Sequence, residues 1–228
     1  MNIEQARFNM IEQQIRPWEV LDSQVLSLLA LVKREDFVPL AHKSLAFADL
    51  EIPLPPQREP GQCMLAPKVE ARVLQDLGVQ KHEKVLEIGT GSGYMAALLG
   101  HRAQKVISLE IEPALAAMAR ENLQRAGAFN VEVKDMDAAG LLKPRTHDQG
   151  LDGPFDVIVL SGSVAEVPSA LLSLLKVGGR LSAFVGSEPV MCATLVTKVS
   201  EQAFSQTQAW DTVVPRLLNF PEPSKFSF

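Results

Sequence analysis

Two glutamates stand on either side of three glycines: in the run KVLEIGTGSGYMA (residues 84–96) Glu87 precedes Gly89, Gly91 and Gly93, which alternate with Thr90 and Ser92, and Glu110 follows further on. Glycines spaced this way after an apolar strand let the backbone turn tightly and let a ligand approach without meeting a Cβ. No Lys-Ser or Lys-Thr follows them, so the phosphate-cradling Walker loop is excluded. A dinucleotide fingerprint fits in its looser form, Gly91-x-Gly93-x-x-Ala96, with Glu110 as the ribose-binding acid. Glu87 weighs against it, because a carboxylate at the mouth of the pocket would repel a pyrophosphate. The same carboxylate suits a ligand that carries an ammonium and a sulfonium, and Glu110 suits two ribose hydroxyls. S-adenosylmethionine has all of these groups, so it is the expected cofactor and S-adenosylhomocysteine the expected product. Glu110 follows Gly89 by roughly 20 residues, the length of a loop, a helix and the next strand. The bland alternative is a tight strand-to-helix turn that holds nothing.

The elements that must position these residues are legible in the periodicity. Residues 3–34 have helical spacing, and Asp22-Ser23 caps a second helix there. Residues 48–67 carry Pro53, Pro55, Pro56, Pro60 and Pro67, which rule out a regular helix. Ile52, Leu54, Met64 and Leu65 stand among them, so the stretch reads as a structured loop lying across the next domain. From residue 68 helices and strands alternate. VEARVLQDLG is a helix stopped at Gly78, KVLEIG a strand, SGYMAALLGH a helix and KVISLEI a strand. PALAAMARENLQRAG is a helix opened by Pro113; VEVKDMD follows as a strand and residues 143–153 as a surface loop. PFDVIVLSG is a buried strand, PSALLSLLKVGG a helix and RLSAFVG a strand. MCATLVTKVS and FSQTQAWDTVV have no helix between them and read as an antiparallel hairpin at one edge. This order implies an α/β fold with a mostly parallel sheet and helices on both faces. Residues 1–67 would form N-terminal helices and the proline-rich loop, and residues 68–228 the Rossmann-like unit, within a single structural whole.

Composition narrows the class further. The 228 residues carry a formal net charge of −5, which argues against a nucleic-acid partner, since phosphate binding needs clustered Lys and Arg. No stretch matches the roughly 20 apolar residues of a membrane span, and the polar N-terminus MNIEQARFNMIEQQ does not read as a secretory signal. Cys63 and Cys192 have no zinc spacing and read as reduced thiols of a cytoplasmic protein. His42, His82, His101 and His147 are scattered, so no metal is expected.

Several stretches together resemble the protein-L-isoaspartate O-methyltransferase family. MIEQQI (10–15), KREDFVP (33–39), AFADLEIPLP (46–55) and GQCMLAP (61–67) are similar to its N-terminal region. VLEIGTGSGY, NVEVKDMDA (130–138), FDVIVLSG and the VGGR…VG pattern (177–186) continue the match in order through residues 8–190. The resemblance implies a Rossmann-like, S-adenosylmethionine-dependent methyltransferase fold with a seven-stranded sheet. It also implies carboxyl methylation of isoaspartyl-containing peptides or proteins, a repair reaction. Glu87, Gly89, Thr90, Gly91, Ser92 and Gly93 would hold the cofactor, Glu110 its ribose, and Asp137-Ala138, matching the family's Asp-Gly, would lie beside the adenine. Cys63, Met64, Leu65, Lys68 and Ser161 would line the substrate side.

The departures fall on that side. The family's Thr-Ile-Ser is Cys63-Met64-Leu65, its Thr-Ala-Ala is Ser161-Gly162-Ser163, and its Arg-Gly-Ile is Arg16-Pro17-Trp18. A carboxylate acceptor is already ionised at neutral pH and needs no base. No catalytic base is therefore assigned. An amine or phenol acceptor would need one, for which Asp137, Glu112 and His101 are the available groups. Leu65, apolar where the family has a hydroxyl, leaves open a different, unidentified acceptor or a non-catalytic module that binds S-adenosylmethionine.

Overall fold

The computed structural model describes residues 2–56, 61–143 and 151–222. Helix α1 (Ile3–Met10) starts at Asn2, whose side chain accepts from the Gln5 amide, and unwinds through a π turn, Ile11–Ile15, and a 3-10 turn, Arg16–Trp18. Helix α2 (Ser23–Leu31) is capped by Asp22, which accepts from the Gln24 and Val25 amides. The proline-rich segment forms a two-stranded antiparallel pair, β1 (Ile52–Pro53) with β2 (Cys63–Met64).

Helix α3 (Pro67–Leu77) ends at the left-handed Gly78. There follow β3 (Lys84–Ile88), α4 (Tyr94–Arg102), β4 (Lys105–Glu110), α5 (Pro113–Arg125), β5 (Val131–Asp135) and a 3-10 turn, Ala138–Leu142. Strand β6 (Phe155–Val164), α6 (Ser169–Leu172), β7 (Leu175–Ser187), β8 (Val190–Lys198) and β9 (Phe204–Thr212) complete the chain order. The seven-stranded sheet runs β5-β4-β3-β6-β7-β8-β9. Its first five strands are parallel, and β8 and β9 return antiparallel, as the missing helix between them implies.

The structure corrects one element. The helix expected over PSALLSLLKVGG is only the four residues of α6, and Leu175 to Gly179 belong to β7. Leu175 pairs with Phe155 in the sheet, and Gly178 at φ 85° cannot continue a right-handed helix. Gly179 lies so close to the Phe155 and Asp156 carbonyls that a Cβ would come within 3.1 and 3.0 Å of them. Most of the loop expected over residues 143–153 and the end of the chain after residue 222 lie outside the described residues.

Strand alternation sorts the core into two layers. Val85, Val106 and Val157 share one with the N-terminal helices and α3 to α5. Leu86, Ile107, Ile158 and Leu181 share the other with Leu141, Leu171 and Phe220. Each such side chain contributes about 1.5–3 kcal/mol by leaving water. Parallel register sets Glu87 beside Ser108 and Ile88 beside both Leu109 and Leu160, so the carboxyl ends of β3, β4 and β6 reach one edge together.

Candidate active site

At that edge the loop after β3 is tied to the end of β4. The Gly89 and Thr90 amides donate to the Leu109 carbonyl at 2.9 and 3.3 Å, and the Gly91 amide donates to Glu110 Oε2 at 2.8 Å. A cavity opens above it, bounded by Gly89, Gly91, Glu110, Asp137, Ser161 and Leu65 among others. The glycines differ in purpose. A Cβ on Gly89 would stand 3.2 Å from Leu217 and one on Gly91 3.2 Å from Leu54, both across the cavity; one on Gly93 would meet Ala119 and Leu123 of α5 at 3.3 Å. Gly89 and Gly91 thus let the loop lie close against Leu217 and Leu54, side chains that line the cavity, whereas Gly93 lets α4 pack on α5.

Glu110 is buried, and burial raises its pKa against the amides that stabilise its ionised form. Its Oε1 accepts from the Glu112 amide at 3.1 Å. A carboxylate has about four lone-pair sites, so with two amides bound it retains acceptor capacity for a pair of hydroxyls. Asp137 caps the following 3-10 turn, accepting from the Ala139 amide at 2.9 Å and from Asn219 Nδ2 at 2.9 Å. With Ala138, Ile111, Leu115 and Met136 it borders a slot whose apolar walls fit a planar heterocycle. The donor set, the slot and the glycine cradle fit S-adenosylmethionine.

Glu87 does not stand at the mouth of the cavity. It is fully buried beneath it, accepting from Ser108 Oγ at 2.6 Å and from Ser161 Oγ at 3.0 Å. The Thr90 and Ser108 hydroxyls share a further hydrogen bond at 2.6 Å. Burial pushes the Glu87 carboxyl up to about 8, against the two serine hydrogen bonds, with Glu70 and Glu110 raising it further. Its hydrogen bond to Ser161 links it to a residue that lines the cavity. Ser92 is buried in the loop, its carbonyl held by Asn122 at 2.8 Å.

The residues expected on the substrate side come from more distant parts of the chain. Leu65 and Cys63 face the cavity, while Met64 turns into a small neighbouring one. Burial, then the neighbouring Glu51 carboxylate, push the Cys63 thiol up to about 12, so it is neutral. Lys68 points elsewhere: its ammonium bonds Asp49 at 2.7 Å and lies 4.0 Å from the centre of the Trp18 ring. The expectation that it lines the substrate side is therefore corrected. Of the available bases only Asp137 borders the cavity; Glu112 caps α5, and His101 sits in the last turn of α4.

Two parts of the site escaped the sequence reading. Residues 215–220 run back over the strand ends, with Pro215, Leu217 and Phe220 walling the cavity. Ser163 holds them there: its amide donates to the Pro215 carbonyl at 2.8 Å, and the Leu217 amide to the Ser163 carbonyl at 2.9 Å. The apolar pair Leu217-Leu218 after a proline was the available signal. The second part is a buried ion pair, Arg34 Nη1 to Glu70 Oε2 at 3.1 Å, with Arg34 also donating to the Leu65 carbonyl at 3.1 Å. Beside it the Tyr94 hydroxyl is buried with no hydrogen-bond partner.

A profile of the protein-L-isoaspartate(D-aspartate) O-methyltransferase family matches residues 5–215. A protein-L-isoaspartate O-methyltransferase of Methanoculleus marisnigri is 38% identical over 201 residues, covering 88% of this chain and 86% of that one. Its Myxococcus xanthus namesake is 42% identical over 167 residues, 73% of this chain and 74% of that one. Among solved structures, a Plasmodium falciparum protein described as such an enzyme, in complex with S-adenosyl-L-homocysteine, superposes with a TM-score of 0.77 at 19% identity, over 92% of this chain and 97% of that one. The match of sequence over nearly the whole length, with the fold that accompanies it, places the chain in the protein-L-isoaspartate(D-aspartate) O-methyltransferase family.

Proposed function

We propose that the protein is an S-adenosylmethionine-dependent methyltransferase acting on the carboxylate of isoaspartyl residues in peptides and proteins. The observation that carries this reading is the pairing of an open glycine cradle with the amide-anchored Glu110 at the strand ends. Family membership supplies the acceptor class. When bound, the cofactor supplies an electrophilic methyl group on a sulfonium. Glu110 would hold the ribose hydroxyls, and Asp137 with Ala138 would border the adenine. Glu87, beneath Ser161, would favour the positive methionine half, and that charge would in turn favour the ionised form of Glu87. An isoaspartyl carboxylate is ionised at neutral pH, so the residues around Leu65 and Ser161 need only hold its oxygen in line. Orientation of this kind can supply several kcal/mol.

Saturating S-adenosylhomocysteine should raise the melting temperature by mass action. Labelled methyl should pass to an isoaspartyl peptide and not to its aspartyl twin. A rise in melting temperature with NADH alone would overturn the cofactor. Leu65, which offers no donor to an acceptor carboxylate, favours a second reading, a module that binds S-adenosylmethionine without turnover. Binding without methyl transfer to any isoaspartyl peptide would select it.

A further inference from the structure

Leu65 creates a specific chemical gap. An acceptor carboxylate placed against its apolar side chain loses a hydrogen-bond donor, and something nearby must supply one. Two small cavities adjoin the main one on this side. The first, about 30 Å³, is bounded by Cys63, Leu65, Gly89, Ser161, Glu70 and Tyr94. That is room for one water or one carboxylate oxygen. The second also touches Leu65, Ser161 and Glu70. Glu70 is therefore the ionisable group that meets both recesses behind Leu65, and Tyr94, whose hydroxyl has no hydrogen-bond partner, lines the first.

We propose that Glu70 recognises the acceptor: in its protonated form it donates a hydrogen bond to the incoming carboxylate and leaves Arg34 as counter-ion, and in its ionised form it excludes that carboxylate. The proposal rests on the isoaspartyl reading above. Glu70 lies in the first turn of α3 and is 6% exposed. The charged and titratable groups packed around it are Arg34 from the turn after α2, Glu87 from β3, Tyr94 from α4 and Cys63 from β2. Burial raises the Glu70 carboxyl to about 7 despite Arg34, which lowers it. A second negative charge entering the recess raises it further.

Acceptor and proton thus enter together. During transfer the bond from the acceptor oxygen to the methyl carbon forms as the methyl–sulfur bond breaks, its electron pair going to sulfur, and the Glu70 proton stays where it is. The ester that results is neutral. Glu70 then releases its proton to solvent and the Arg34–Glu70 ion pair closes again.

The test is kcat/KM for one isoaspartyl peptide from pH 5.5 to 9, in wild type, Glu70→Gln and Glu87→Gln, with S-adenosylhomocysteine affinity measured alongside. In wild type the value should fall about tenfold per pH unit above the Glu70 pKa, with the change in the peptide KM. Glu70→Gln, whose amide donates at every pH, should flatten the profile, and Glu87→Gln should keep the fall. A fall that survives in Glu70→Gln overturns the proposal, as does a flat wild-type profile. Activity abolished by Glu70→Gln at every pH, with cofactor affinity intact, also overturns it, because the carboxylate would then be acting as a base. No turnover in wild type or Leu65→Ser, with cofactor bound, rejects the isoaspartyl acceptor itself and the proposal with it.

Discussion

The two halves of the cavity are built by different means. On the side proposed for the cofactor, consecutive elements supply nearly everything: β3 delivers the glycine loop, β4 delivers Glu110, and backbone amides bind the two together. On the side proposed for the acceptor, residues 63–65, Glu70 and Ser161 converge from across the chain, and residues 215–220 run over both sides. A buried ion pair and a strand-like contact at Ser163 hold that side in place. The first half depends on local backbone geometry and the second on long-range placement, so substitutions should affect them differently.

The largest effect is expected at Arg34. Arg34→Met leaves Glu70 buried and unpaired, a loss of about 3–5 kcal/mol in unfolding free energy. Urea denaturation at pH 8 measures it. The loss should shrink at pH 6, where Glu70 is protonated: its folded pKa is raised, so the unpaired carboxyl costs least below that value and most above it. Adding Glu70→Leu should recover most of the loss, and a single-mutant effect under about 1 kcal/mol would mean the pair does not anchor the acceptor half.

Glu110→Ala comes next and probes the opposite half. Losing charge-assisted hydrogen bonds of about 1.5–3 kcal/mol each should weaken S-adenosylhomocysteine binding at least tenfold. Calorimetry reads the change, and unaltered affinity would remove Glu110 from the ribose site.

Leu65→Ser should leave cofactor affinity alone while raising kcat/KM on an isoaspartyl peptide about tenfold, the equivalent of roughly 1.4 kcal/mol of restored hydrogen bonding. Equal kinetics in both proteins would show that Leu65 creates no deficit.

The smallest effect belongs to Lys68→Met. Its bond to Asp49 and its place over Trp18 are worth under about 1 kcal/mol in all. The peptide KM should not move, and a tenfold rise would return Lys68 to the acceptor site.

This contrast also explains what could be read before the structure. Pro113, Gly78 and the alternation of apolar runs betray α5, α3 and the parallel strands because capping and periodicity are local. Glu110 is legible for the same reason, one strand on from the glycines. Charge and spacing put Glu87 at the mouth, since nothing in a sequence indicates that it will be buried against Ser108 and Ser161. PSALLSLLKVGG has helical composition, yet the pairing of Leu175 with Phe155 decides its fate. Lys68 follows Leu65 and Pro67 closely in sequence, but the first turn of α3 carries it toward Asp49. Glu70 passes as an ordinary helix residue until Arg34, 36 residues earlier, is seen against it.

The return of residues 215–220 over β6 has a consequence for the order in which the cavity is completed. The glycine loop, Glu110 and the recess lined by Leu65, Glu70 and Tyr94 all lie before residue 162, but the wall formed by Pro215, Leu217 and Phe220 follows more than fifty residues later. A chain with residues 215–220 undocked would have every strand of the sheet and an unroofed cavity. Full ligand affinity would then arrive only when these residues dock, so that binding would report closure of the wall as much as folding of the sheet.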